Sequence, residues 1–149
     1  MVSVSIEPPS QVQRGMFLYP PLVVSCPSSQ YNFFQIVLVD SHGRVVEQDY
    51  LHGTLSVSPQ TLDTSPHNSR GPKDFAVFSD LVIGRSGTYT LRVNAYQLDY
   101  QTVPPTLFHA ATIASREIRV RSSAVSEGRP SSSEARLLDR LAQAGFAIP

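Results

Sequence analysis

The 149-residue chain carries twelve basic and twelve acidic side chains, so its formal net charge of zero favours neither a nucleic acid nor a membrane surface. This length predicts one domain, and a hydrophobic content of 41% excludes wholesale disorder. Eleven of the basic residues are arginine, which suits bidentate contact with phosphate or carboxylate, although the codon preference of a GC-rich genome accounts for the bias equally well.

Cysteine usage and the N-terminal sequence predict the compartment. Cys26 is the single cysteine and lies in an apolar run, so we expect a buried thiol and no intramolecular disulfide. The first ten residues lack the basic and apolar regions of a signal peptide, and no apolar run approaches the ~20 residues that span a bilayer. We therefore expect a soluble protein of a reducing compartment, the cytosol or nucleus, with no membrane partner.

Short strands separated by turn residues account for the first half of the chain. Alternation of apolar and polar residues predicts a strand over residues 2–6, which Pro8 and Pro9 end. Connections are expected over residues 10–19 and, as a long polar loop, over residues 58–74. Between these connections the same patterns predict further short strands, at residues 22–26, 33–39, 44–46 and 51–57.

Residues 75–93 predict a β-hairpin. Tyr89, Leu91 and Val93 alternate with polar residues, which is typical of a half-buried strand. The preceding arm is more continuously apolar, and the turn at residues 84–87 begins and ends with glycine. We expect this hairpin to contribute aromatic and aliphatic side chains to the core.

The remaining elements complete an all-β fold. A connection is expected from residue 97, a last strand over residues 112–121, and a helix over residues 134–144 behind a capping box of Ser131 and Glu134. The pattern predicts an immunoglobulin-like antiparallel β-sandwich with a short C-terminal α-helix. Residues 1–122 are expected to form the sandwich, and residues 123–149 a linker and a helix that complete the same domain.

The sequence offers little chemistry for catalysis. Its four histidines lie in or beside expected loops, and no metal-ligand spacing, nucleophile elbow or phosphate-cradling glycine motif is present. We therefore expect no enzyme activity, no metal and no cofactor. A carbohydrate- or ligand-binding sandwich has little support because the chain contains no tryptophan to form a binding platform, so no small-molecule substrate is expected.

The loops provide the candidate binding residues. In an antiparallel sandwich, successive strands run in opposite directions, so alternate loops share one end. Counting the expected strands in this way places four loops together, at residues 10–19, 40–43, 58–74 and 99–111. Cations on loops of a rigid sandwich can grip phosphates, although a solvated end of mixed charge explains the same residues equally well. The candidate DNA-binding residues are Arg14, Arg44, Arg70 and Lys73.

Several motifs, in this order along the chain, resemble the fungal velvet domain. The central pair is FAVFSDL at residues 75–81 and GTYTLRV at residues 87–93. The others are IEPP with a following Arg14-Gly15, YPPLVV at residues 19–24, VLVDSHG at residues 37–43, LHG at residues 51–53 and LLDRLAQAGFAI at residues 137–148.

This resemblance implies a fold similar to the DNA-binding domain of Rel-type transcription factors. It also implies a nuclear and cytoplasmic regulator of fungal development, sporulation and secondary metabolism that pairs with itself or with other velvet-domain proteins and binds double-stranded DNA. The segment before the proline-led strand carries Arg14 as its single charge, where many family members have several cations. The alternative is therefore a protein–protein subunit without DNA contact. Its expected partner interface comprises Phe17, Tyr19, Leu137, Leu138 and Leu141.

Overall fold

A computed structural model describes residues 2–62, 72–126 and 129–148. Strands predominate in these residues, and a single α-helix lies near the C-terminus. The strands are β1 (Ser3–Ile6), β2 (Gln11–Gln13), β3 (Leu22–Pro27), β4 (Phe33–Asp40), β5 (Leu51–His52), β6 (Ser56–Val57), β7 (Gln60–Leu62), β8 (Lys73–Phe78), β9 (Val82–Ile83), β10 (Gly87–Asp99), β11 (Thr106–Ala114) and β12 (Ile118–Arg121), and the helix is α1 (Ser132–Gln143).

The strands form two main sheets and a small ribbon. The first sheet has the order β1-β3-β8-β7, and the second has the order β2-β12-β10-β4-β6. Strand β10 pairs with β4 along one edge and with β12 and then β11 along the other, while β5 and β9 form the ribbon. All of these pairs are antiparallel except β2 with β12. The predicted all-β sandwich with a short C-terminal helix is confirmed.

Alternating side chains of the two sheets form the main core. In β4, Phe34, Ile36 and Leu38 are buried between less buried neighbours, and Leu91 and Val93 of β10 follow the same alternation. This arrangement is the period-two pattern on which the strand predictions rested. The first sheet contributes side chains of β3 and β8 to the same cluster.

The predicted hairpin over residues 75–93 is wrong. Its first arm, β8, pairs with β3 in the first sheet, whereas β10 lies in the second sheet. The intervening residues cross between the sheets: Leu81 is fully buried, and its carbonyl accepts a hydrogen bond from the Leu18 amide at 3.0 Å. The Asp80 carboxylate accepts bonds from the Thr54 amide and hydroxyl at 2.9 and 2.7 Å. These contacts fix the crossing, and a sequence pattern cannot distinguish it from a tight turn.

Other strands also differ from the prediction. The strand expected over residues 44–46 is only an isolated bridge between Val39 and Val45. Residues 10–19 contain β2, the polar loop expected over residues 58–74 contains β7, and the single strand expected over residues 112–121 is two strands, β11 and β12. Ser115 separates them: its amide donates to the Leu91 carbonyl at 2.8 Å, and its hydroxyl accepts from the Leu91 amide at 3.0 Å. Because the Ser115 side chain replaces a strand partner for Leu91, the chain can leave one strand and begin the next.

Helix α1 covers the outer face of the first sheet. Its capping box forms as expected, since the Ser131 hydroxyl accepts from the Glu134 amide and the Glu134 carboxylate accepts from the Ser131 amide. Leu138 and Leu141 are buried in a second cluster. Their partners there are Ile6, Val23, Leu62 and Phe75. Leu138 and Leu141 are therefore core residues, which contradicts the expectation that they face a partner, and Leu137 is half-buried beside them.

Candidate nucleic-acid interface

Strand register places Arg14 and Arg44 at the same end of the sandwich. Asp40, the last residue of β4, lies opposite Tyr89 near the start of β10, and Gly87 lies opposite Val120 near the end of β12. Strand β2 runs parallel to β12, and the Arg14 amide donates to the Arg121 carbonyl at 2.7 Å. The chain after β2, the turn after β4 and the end of β12 therefore share one end.

Lys73 lies at the opposite end. It pairs with Pro27, and the short turn after Pro27 leads to the start of β4, at Phe33. The connection between β10 and β11 is also at this end, because Phe33 lies opposite Tyr96. The expectation that these loops join Arg14 and Arg44 is wrong. The missed β2 and the crossing between the sheets change the direction in which the later strands run, and so the end at which their loops lie. The remaining candidate, Arg70, lies outside the described residues.

Arg44 belongs to a turn organised by an acid. The Asp40 carboxylate accepts hydrogen bonds from the backbone amides of Arg44 and His42, at 3.0 and 2.8 Å. These bonds, above all the one from Arg44, hold the pKa of Asp40 below its ordinary value. The positive φ of Gly43 completes the turn. The carboxylate beside Arg44 offsets its charge, so Arg44 is a weak candidate for holding an anion.

A polar cleft of about 560 Å³ lies beside β2 and is lined by several basic side chains. We call it the arginine cleft. Three arginines line it, and none of its described lining residues is acidic. The lining comprises Pro9, Ser10, Gln11, Pro20, Arg116, Arg121, Ala124, Val125, Ser126 and Arg129.

Hydrogen bonds orient two of these guanidinium groups. Nε of Arg116 donates to the Pro8 carbonyl at 2.8 Å, while the Arg116 backbone amide donates to Glu7 at 2.7 Å. Nη1 of Arg121 donates to the Gln11 side-chain oxygen at 3.3 Å. Each of the guanidinium bonds occupies one of the five N–H donors of its group and fixes its direction, which favours binding of a planar or tetrahedral oxyanion.

Sequence reasoning missed this cleft, although part of its signal was present. Ile118 and Val120 are buried while Arg119 and Arg121 are exposed, as the alternation along β12 requires. The sequence pattern therefore already predicted an outward pair of arginines. It could not show that β2 pairs in parallel with β12 and brings Gln11 and Arg14 beside them.

Phe17 and Tyr19 lie next to the arginine cleft. They line a second cavity of about 250 Å³, and they are 63% and 37% exposed. The two cavities share four lining residues, Pro9, Gln11, Val125 and Ser126. Both aromatic residues are thus surface residues.

The described residues were also compared with the requirements of a metal site and of a membrane-spanning helix. In that part of the chain, no cluster of three or more His, Cys, Asp or Glu residues could hold a metal ion. None of the helices described there has the length and apolar character needed to cross a bilayer. In comparisons with known proteins, no family model and no curated protein matches the chain.

Proposed function

We propose that the chain is a velvet-type transcriptional regulator that contacts DNA through the arginine cleft. The observation that carries the proposal is three arginines lining one cleft whose described lining contains no acidic residue, with the Glu7 carboxylate bound to the backbone amide of Arg116 as the nearest acid named above. The ordered velvet-like motifs support the class, and a β-sandwich is the fold that this resemblance implies. The proposal includes homo- or heterodimers with other velvet-domain proteins, action in the nucleus and cytoplasm, and control of fungal development, sporulation and secondary metabolism.

The number of arginines sets the expected strength of DNA binding. Each phosphate that a cation neutralises contributes about −0.9 to the slope of log K against log salt on duplex DNA. Three contacts, from Arg116, Arg121 and Arg129, therefore predict a slope near −2.7 for one subunit. Such binding is weak and salt-sensitive, and a second subunit with its own cleft would roughly double the slope.

Fluorescence anisotropy with a labelled duplex, titrated between 50 and 200 mM salt, tests the proposal. The double variant Arg121→Gln/Arg129→Gln removes two exposed cations and should reduce the magnitude of the slope by about 1.8. Lys73→Gln, at the opposite end of the sandwich, is the matched control and should leave the slope unchanged. An undiminished slope in the double variant, or an equal loss with Lys73→Gln, would exclude the cleft as the DNA site.

The alternative, a partner subunit without DNA contact, also has an observation in its favour. Beyond the last β4 pair at Tyr96, the ends of β10 and β11 project as a two-stranded arm. Four large apolar residues on the arm are exposed, Tyr100 by 70%, Val103 by 97%, Leu107 by 44% and Phe108 by 45%. Exposed large apolar side chains on a projecting arm are typical of protein–protein interfaces. Light scattering during size-exclusion chromatography tests it: Leu107→Asp/Phe108→Asp should convert a dimer to a monomer, and an unchanged mass would exclude the arm.

A further inference from the structure

The second cavity carries aromatic groups that duplex DNA cannot use. Phe17 and Tyr19, which we call the aromatic shelf, line this cavity beside Met16 and are 63% and 37% exposed. In a duplex the base faces are stacked on one another and are closed to a protein side chain. Unpaired bases, in contrast, present faces that stack on aromatic rings.

The backbone of the shelf is held on both sides of Phe17. The Gly15 amide donates to the Ile83 carbonyl at 3.1 Å, and the Leu18 amide donates to the Leu81 carbonyl at 3.0 Å. Phe17 itself forms a bridge with Val82, and the neighbouring Leu18 side chain is only 1% exposed. The backbone position of Phe17 is therefore set by the fold before any ligand arrives, which lowers the entropy cost of ordering this segment on binding.

Gln11 connects the shelf to the arginine cleft. It lines both cavities, and its side-chain oxygen accepts the hydrogen bond from Arg121. Gln13, two residues along β2, also lines the shelf cavity. Side-chain amides of glutamine can donate and accept hydrogen bonds at a base edge. One continuous surface thus offers cations for a phosphate, flat rings for a base face and amides for a base edge.

From this arrangement we infer that the surface is a single-stranded nucleic-acid site, in which the arginine cleft holds phosphates and the aromatic shelf stacks an unpaired base. The inference rests on the proposed DNA contact at the arginine cleft and goes beyond it by naming the form of the ligand. The combination of a cationic groove with aromatic stacking groups is the physical basis of single-strand binding.

Anisotropy measurements with a labelled twelve-nucleotide oligothymidine and a duplex of the same length test the inference. The single strand should bind more tightly than the duplex. Phe17→Ala should weaken single-strand binding by about ten-fold or more and leave duplex binding unchanged. Phe17→Trp should retain the affinity, whereas Phe17→Leu, which keeps an apolar side chain but no flat ring, should not. Because Phe17 is 63% exposed, these variants should unfold at the temperature of the parent protein, which a thermal melt checks.

Salt dependence separates this inference from the proposed function. Phe17→Ala should leave the slope of log K against log salt unchanged, while Arg121→Gln/Arg129→Gln should reduce it. Equal affinity for the single strand and the duplex, or an equal effect of Phe17→Ala on both, would overturn the single-strand inference. The proposed function would still stand in that case if duplex binding were salt-sensitive. Single-strand binding that Phe17→Ala leaves intact would also overturn it and would favour a protein partner for the shelf. Absence of binding to either ligand would overturn both.

Discussion

Replacing Leu141 by alanine tests whether helix α1 is a structural part of the domain. Leu141 is fully buried against residues of β1, β3 and β8, including Ile6, Val23 and Phe75. Removing a buried leucine side chain costs about 2–5 kcal/mol, depending on how far the site can collapse. Because this cluster lies under one helix on an outer sheet face, partial collapse is feasible, and we expect about 2–3 kcal/mol for Leu141→Ala. That is a large part of the ~5–15 kcal/mol by which domains are stable.

Urea denaturation followed by circular dichroism measures this cost. The midpoint should fall while the m-value stays constant, since the surface exposed on unfolding hardly changes. Arg136→Ala, at an exposed position on the same helix, is the control and should change the stability by less than about 0.5 kcal/mol. If Leu141→Ala were as mild as the control and instead reduced the oligomeric mass, the leucine stripe would be a partner interface and the packing described above would be refuted.

Two other features give predictions of similar sharpness. Burial and then the neighbouring Asp74 carboxylate raise the pKa of the Cys26 thiol from 9.0 to about 11. The thiol of the unfolded chain therefore ionises first, and stability should fall as the pH rises from 9 to 11. Urea titrations across this range should show a shallower fall in Cys26→Ala, and an identical fall would contradict the assignment. Gly53→Ala should destabilise the protein by more than about 2 kcal/mol in a thermal melt, since φ is +122° and a Cβ would collide with the Asp80 carbonyl. Gly43→Ala, where φ is +79° and nothing lies within 4 Å, should cost only the backbone strain of about 1 kcal/mol, and equal costs would contradict a tight crossing.

Local pattern predicted the elements well wherever one residue's neighbours decide its state. The apolar run over residues 33–39 and the turn residues that follow it identified β4, and the spacing of Ser131 and Glu134 identified the start of α1. Both signals depend on residues only a few positions apart, so they can be recognised without knowledge of the rest of the chain.

Features that depend on distant contacts were not predictable in the same way. The strand β2 has only three residues, and it exists because β12 pairs with it. The apolar arm over residues 75–83 looks the same whether it turns back or crosses to the other sheet. Its crossing is decided by partners distant in sequence, Leu18 and Thr54.

The candidate site illustrates both cases. Arg14 was a candidate from sequence because it lies in a loop that the strand count placed at one end of the sandwich. Its backbone does lie beside Arg121, but Arg14 is not among the residues that line the arginine cleft. Arg116 and Arg121, in contrast, become a site only when the parallel pairing of β2 with β12 places Gln11 and Pro9 beside them. Lys73 was assigned to the wrong end of the sandwich because the strand count was in error. Each missed strand reverses the direction assigned to the strands that follow it.

Arginine footprinting tests the central claim most directly. Phenylglyoxal modifies exposed guanidinium groups, and mass spectrometry of the digested protein reports the extent at each arginine with and without DNA. Protection should be concentrated at Arg116, Arg121 and Arg129, with Arg136 on the helix modified equally in both samples. Protection of Arg136 and not of the three cleft arginines, or no change at any arginine under conditions where DNA is bound, would contradict the assignment of the arginine cleft as the nucleic-acid interface.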